Sequence, residues 1–135
     1  MAYFANSEEL NRVMDNLWHK IKADPEMSKK LLETKLVVLF KYRDPDGSLT
    51  IDCSDGQDMK ILVGKADVKP TIEMSMKADI AHEFWLGKIN VPLAIMSGKI
   101  VSKGPTPKAL ALLPVIKPAY TMYPEVLKEA GKITA

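Results

Sequence analysis

Cysteine, histidine and aromatic residues are all scarce in this chain, and each shortage removes a class of protein. A single Cys53 excludes any intramolecular disulfide framework, and a thiol left alone fits a reducing compartment. With only His19 and His82 beside it, the usual structural zinc sets cannot be assembled. Long apolar runs are missing too. The longest are Leu36 to Phe40, Val91 to Met96 and Ala109 to Ile116, well short of the roughly 18 residues of a transmembrane helix. Charge of one sign is also lacking. The 19 basic residues are matched by 17 acidic ones, well interleaved, so little excess remains to displace counterions from a phosphate backbone and no nucleic-acid partner is expected. The N-terminus, Met1-Ala2-Tyr3-Phe4-Ala5-Asn6, has neither a basic n-region nor a long apolar h-region. Lys132-Ile133-Thr134-Ala135 is not a peroxisomal address of the Ser-Lys-Leu kind. The expected location is the cytoplasm.

What is plentiful is aliphatic: 47% of the 135 residues are hydrophobic but only 7% aromatic, and eight are Met. A chain of this length can remove roughly 65–70% of its unfolded surface from water. Residues 1–135 are therefore read as one domain with a core that needs neither disulfide nor metal.

Leu10, Val13, Met14, Leu17, Trp18 and Ile21 recur at helical spacing and share one face. Asn6 with Glu9 forms a capping box at the start of that helix, and Asp24-Pro25 stops it. A short second helix is expected over 26–32. Leu36 to Tyr42 is β-branched and aromatic and ends at Asp44-Pro45-Asp46-Gly47, a tight turn. Leu49 to Cys53 and Met59 to Val63 complete a three-stranded meander, and Ile72, Met74 and Met76 of a fourth strand face one way while Thr71, Glu73 and Ser75 face a wet side. Helices follow over 77–86, closed by Gly87, and 91–96, closed by Gly98. Lys99 to Lys103 is a fifth strand. Thr106 caps a helix with Pro107 at its first position, leading into Ala109 to Leu113 before Pro114, and Pro124 to Ala130 is the last segment assigned in the tail. No repeat or low-complexity tract is present.

Catalytic chemistry finds little to work with. Cys53 shares the phase of Leu49 and Ile51 and has no neighbouring base, so it reads as buried and inert. His19 and His82 have no partner at metal-ligand spacing. Glu8-Glu9, Asp44 with Asp46, and Asp55 with Asp58 stand where helix starts and turns want carboxylates, and Asp44 to Ser48 lacks the further ligands of a calcium loop. Gly87, Gly98 and Gly104 are spaced too widely to cradle a phosphate. No metal and no cofactor are expected. The unusual feature is instead an apolar surplus from Phe84 to Met122, more than two short helices and a tail can point at one sheet face. Part of it must meet a partner or line a space, and methionines such as Met14, Met74, Met76, Met96 and Met122 suit an adaptable lining. Ordinary core packing is the competing reading.

The stretch Ala78-Asp79-Ile80 through Phe84-Trp85-Leu86-Gly87-Lys88-Ile89-Asn90-Val91-Pro92 to Ser97-Gly98-Lys99-Ile100-Val101-Ser102-Lys103-Gly104 resembles the signature of the sterol carrier protein type 2 family. In that family a helix ends in Gly-Lys, Asn-Pro opens a short helix, and a Gly-Lys strand ends in Gly. The likeness spans about residues 7–117, with 118–135 as an extension that could fold over a cavity mouth as a lid or support a dimer contact. This sequence departs from the pattern where Val91 separates Asn90 from Pro92, where Pro105 follows Gly104, and where Ser102 replaces an apolar residue; that hydroxyl either bonds the backbone or offers a polar anchor.

The resemblance implies an α+β fold: a five-stranded, mostly antiparallel sheet covered on one face by helices in the order α-β-β-β-β-α-α-β-α, with an apolar tunnel between the layers. It implies a non-catalytic carrier of a fatty acid, fatty acyl-CoA, sterol-like or phospholipid ligand. The expected lining is Trp18, Met74, Met76, Phe84, Trp85, Leu93, Met96, Leu110, Leu113, Ile116 and Tyr120, with Lys88 and Lys99 able to meet an anionic headgroup or simply solvated. Transient membrane contact and a monomer or homodimer are compatible with it. A second reading is a non-catalytic assembly or accessory domain beside a lipid-metabolising enzyme. A third is a small enzyme using Asp79 or Tyr120.

Overall fold

A computed structural model describes residues 3–132. The first helix, α1 (Ser7–Ala23), buries the six residues its spacing selects, Leu10, Val13, Met14, Leu17, Trp18 and Ile21. Its entry is the expected box: the Asn6 side chain accepts from the Glu9 N–H at 2.8 Å, and the Glu9 carboxylate accepts from the Ala5 N–H at 3.0 Å. Asp24 ends α1 and at once caps α2 (Pro25–Thr34), its carboxylate accepting from the N–H groups of Glu26 and Met27. Asp24 closes α1 with its backbone N–H, which donates to the Ile21 and Lys20 carbonyls, and opens α2 with its side chain; α2 starts one residue before and ends two residues after the expected span.

Five strands follow the predicted order: β1 (Val37–Arg43), β2 (Gly47–Asp52), β3 (Lys60–Val63), β4 (Ile72–Lys77) and β5 (Ile100–Lys103). They lie side by side as β3-β2-β1-β4-β5. All neighbours are antiparallel except β1 and β4, which run parallel with Phe40 opposite Met74 and Tyr42 opposite Met76. Gly47 is needed for closeness to α1 and not for an unusual φ: a Cβ there would stand 2.6 Å from Asn11 Oδ1. The positive φ of that turn belongs to Asp44. Gly104 ends β5 at a positive φ, and a Cβ on it would collide with the Thr71 carbonyl.

Helices α3 (Ala78–Trp85), α4 (Val91–Met96), α5 (Thr106–Ala111), α6 (Leu113–Ile116) and α7 (Ala119–Glu129) complete the chain. The departure at Val91 is harmless, because Asn90 still caps α4 by accepting from the Leu93 N–H at 3.1 Å, with Pro92 in the first turn. Thr106 is not a cap; Pro105 holds that position and Thr106 is already helical. The last helix begins five residues earlier than Pro124, which lies inside it. An internal proline costs about 3 kcal/mol, offset here by Tyr123, Val126 and Leu127, which are fully buried as α7 packs on α1 and α3.

The helices cover one face of the sheet. On the other face Lys41, Arg43, Lys77, Val101 and Lys103 are exposed, as a wet side requires, but Val37, Thr50 and Asp52 are buried there. Asp52 satisfies its carboxylate by accepting from the Ser54 N–H and hydroxyl.

The chain ends are joined around His82. Its Nδ1 lies 2.8 Å from the Tyr123 hydroxyl, its ring stacks on Tyr3 at 3.6 Å between centroids, and Phe4 stands edge-on. Lys132 lies over the Tyr3 ring and pairs with Glu9 at 2.6 Å. Burial pushes the His82 pKa down to about 4; Asp79 opposes this, and Lys88 and Lys132 reinforce it. The native imidazole is therefore neutral at neutral pH, while the unfolded ring protonates near 6.5. Stability is whole above that value and falls as pH drops from 6.5 toward 4. Because the ring is half-exposed, the loss is about 1–2 kcal/mol. Urea unfolding of wild type and His82→Phe at about pH 7.5 and about pH 4.5 checks this; an equal pH-dependent drop in both proteins would remove His82 as the source.

Candidate functional site

Alternation along β1 and β4 puts Val38, Phe40 and Tyr42 of one and Ile72, Met74 and Met76 of the other on the helix-covered face. Their parallel register aligns the two triplets, and antiparallel β5 adds Ile100 opposite Met76. Above this floor stand Ala81, Phe84 and Trp85 of α3, Val91 of α4, Ala109 and Leu110 of α5, Leu112, and Leu113 and Ile116 of α6. The helices do not close on the floor. Between them lies an apolar cavity of about 590 Å³, counted with the part open to solvent. A second space of about 370 Å³, again counted with the part open to solvent, adjoins it, lined by Trp18, Leu31, Thr34, Leu36, Ile51 and Cys53 and sharing Val38, Phe40, Leu112 and Ile116 with the first.

No lining residue of either space carries a charge. Aromatic rings fix the walls: Trp18 meets Trp85 edge-on at 5.8 Å between centroids, Trp18 tilts against Phe40 at the same distance, and Phe84 meets Tyr120 edge-on at 5.9 Å. Such pairs contribute about 0.5–1.5 kcal/mol beyond area burial and hold ring orientation. The polar groups are few. Four polar atoms are buried without a hydrogen-bond partner among the described residues: the Tyr42 hydroxyl, the Trp18 indole N–H, the Ser102 hydroxyl and, away from this site, the Tyr3 hydroxyl. Tyr42 lines the larger space, Trp18 the smaller, and Ser102 pairs in register with the lining Met74. Of the two readings of Ser102, the backbone bond is not made. Burial holds the Tyr42 phenol far above its ordinary pKa, so it stays a neutral donor.

Seven of the eleven residues expected in the lining meet in the larger space: Met74, Met76, Phe84, Trp85, Leu110, Leu113 and Ile116. Trp18 is in the wall of the smaller one. Tyr120 stands behind Phe84 and against Gly87. Leu93 and Met96 are not brought to the cavity; they are 59% and 83% exposed on the outside of α4. Val38, Phe40, Tyr42, Ile72 and Ile100, expected only as strand residues, also line the larger space. The signal was present in the matched alternation of the first and fourth strands, but their parallel adjacency was not.

The residues considered for catalysis have structural partners. Asp79 accepts from the Tyr3 N–H at 2.8 Å. Tyr120 is held by Phe84, its phenol pKa raised by burial. His19 is exposed beside Asp15. Among the described residues no group of three or more His, Cys, Asp or Glu could hold a metal ion, and none of the helices is long and apolar enough to cross a membrane.

The comparisons agree with this geometry. Residues 16–117 match the model of the SCP-2 sterol transfer family, and the chain belongs to that family. No curated protein matches it by sequence. Among solved structures, sterol carrier protein 2 from Yarrowia lipolytica in its apo form is similar with a TM-score of 0.66 at 19% identity, over 79% of this chain and 89% of that one. The sterol carrier protein domain 2 of Helicoverpa armigera gives 0.64 at 20% identity over 99% of both chains. Palmitated SCP2L2 from Aedes aegypti gives 0.56 at 14% identity, over 78% and 91%. At these identities the likeness is one of fold.

Cys53 supplies a check on the inner wall. Burial, reinforced by the charges of Asp52 and Asp55, pushes its thiol up to about 11, and the thiolate is the reactive form. Native protein at about pH 8 should not react with Ellman's reagent, whereas unfolded protein should give one equivalent. Reaction of the native thiol at the rate of a free thiol would show this wall to be open.

Proposed function

We propose that this protein is a non-catalytic carrier that holds the chain of a lipid-like molecule between its helices and its sheet, the two adjoining spaces acting as one tunnel. The observation that carries the reading is the uncharged cavity, lined from β1, β4, β5 and four helices, in a member of the SCP-2 sterol transfer family. A ligand gains about 25 cal/mol for each Å² of apolar area it loses to water there. A relative of the same fold has been solved in palmitated form, which supports a fatty chain as one kind of cargo. The proposed contacts are Trp18, Met74, Met76, Phe84, Trp85, Leu110, Leu113 and Ile116, joined by Val38, Phe40 and Tyr42.

The lining also constrains the ligand. A buried carboxylate or phosphate without a cationic partner is heavily penalised, so any ionised headgroup stays at the mouth. The Tyr42 hydroxyl, the Trp18 N–H and the Ser102 hydroxyl are each able to donate. An unsatisfied buried donor costs about 1–3 kcal/mol, which a neutral carbonyl, ester or ether oxygen of the ligand would relieve. The buried part of the ligand is therefore uncharged, apolar for most of its length, and carries acceptor oxygen. The protein works in the cytoplasm on this reading.

Displacement of a fluorescent fatty acid tests the carrier. Wild type should bind the probe at micromolar concentration and release it to long-chain esters and ketones. Leu113→Trp, which fills the cavity, should weaken binding about tenfold or more. Tyr42→Phe should weaken an ester about five- to tenfold and leave a plain hydrocarbon unchanged. If no probe binds, the carrier reading fails; if Tyr42→Phe treats ester and hydrocarbon alike, the phenol is no anchor.

A further inference from the structure

Helix α4 is Val91-Pro92-Leu93-Ala94-Ile95-Met96, without one polar side chain. A helix apolar all round belongs in a protein or lipid interior, yet α4 lies on the surface. Its inner side is satisfied: Val91 and Ala94 are buried, and Val91 lines the cavity. Its outer side is not. Leu93 and Met96, one turn apart, are two of only four large hydrophobic residues that are strongly exposed among those described; Val101 of β5, another of the four, points to the sheet face away from the helices.

Along the chain, the charge on either side of this helix has one sign. From Phe84 to Pro124 the chain contains no Asp or Glu and five lysines, Lys88, Lys99, Lys103, Lys108 and Lys117, all exposed. Lys88 and Lys99 bracket α4 in the chain. Lys103 pairs with Glu73 at 3.5 Å, and among the described residues the other four make no salt bridge. The near-neutral total of +2 conceals this segment, because the acidic residues lie elsewhere.

We propose that the outer face of α4 is a docking surface for an anionic lipid bilayer, with Leu93 and Met96 inserted among the acyl chains and Lys88 and Lys99, which flank the helix, on the headgroups. The chemistry favours lipid over a second copy of this chain. Two side chains on a six-residue helix fall far short of the roughly 1,200–2,000 Å² of a stable protein interface, and a second copy would bring like charge against like. Shallow insertion with basic residues is how short amphipathic elements hold an anionic surface, each lysine adding roughly fivefold to partitioning. Docking would also place the cavity wall at the bilayer, since Val91 is on the other side of the same helix, so a lipid could pass between membrane and cavity without crossing water. The use assigned to this surface rests on the carrier reading; the docking itself does not.

The test is co-sedimentation of the full chain with phosphatidylcholine vesicles, with and without phosphatidylglycerol. Wild type should bind only the anionic vesicles and be released by salt. The double substitution Leu93→Ser and Met96→Ser, at exposed positions, should reduce partitioning about tenfold or more. Lys99→Glu should reduce it similarly. Both variants should keep wild-type circular dichroism and bind the fluorescent fatty acid in solution as wild type does. Failure of wild type to bind anionic vesicles, or equal binding by the variants, overturns the proposal. So does sedimentation equilibrium that shows a dimer lost in the variants, which would assign the face to a second copy. Loss of probe binding in wild type itself would instead refute the carrier reading and leave the vesicle result to stand on its own.

Discussion

The parallel pairing of β1 with β4 is the constraint on which the rest depends. In a chain of short hairpins the first and fourth strands become neighbours only if the meander folds outward and the fourth returns beside the first. The register then sets Val38, Phe40 and Tyr42 against Ile72, Met74 and Met76 on one face. Such a floor of six large apolar side chains must be covered. The helices that cover it are short, three of them with six residues or fewer, and each can offer only a narrow apolar stripe. Coverage without complete filling follows, and the unfilled part is the cavity.

The long helices have another task. α1, capped at Asn6 and stopped at Asp24, closes over β2 and β3 and receives α7 on its flank. Core positions such as Leu17 and Leu127, fully buried, each contribute about 1.5–3 kcal/mol. The aromatic cluster of Tyr3, Phe4, His82 and Tyr123 ties both ends of the described chain to α3. Stability is thus concentrated at the α1–α7 side, while the α4–α6 side carries the cavity. A fold with its firmness on one flank can leave the other free to repack around a guest, and the methionines at Met74 and Met76 suit that role.

Much of this was legible from residues alone, for identifiable reasons. The i, i+3, i+4 spacing from Leu10 to Ile21 admits one burial face, and the structure uses it. Turn chemistry at 44–47 marked the first hairpin, though the reason for Gly47 is its closeness to Asn11, a tertiary fact no local pattern contains. The last helix was not legible, because a helix that runs through Pro124 is held by the burial of Tyr123, Val126 and Leu127, which outweighs the local preference of proline. At the site, Phe84, Trp85, Leu110 and Leu113 were found because the surplus around them had no obvious sheet face to meet. Leu93 and Met96 belonged to the same surplus but took its other outlet, the surface. Periodicity in a six-residue helix cannot separate those two destinations. Tyr42 was missed for the opposite reason, since a strand tyrosine looks like ordinary core until its hydroxyl is found without a partner.

The central claim is that the uncharged space between helices and sheet takes up a lipid-like molecule. Native mass spectrometry of the protein after gentle purification, followed by incubation with a mixture of fatty acids and phospholipids, tests it most directly. The account predicts one additional mass per chain, matching a lipid and lost in Leu113→Trp. A bare chain mass in every condition, or an added mass that Leu113→Trp retains unchanged, would contradict it.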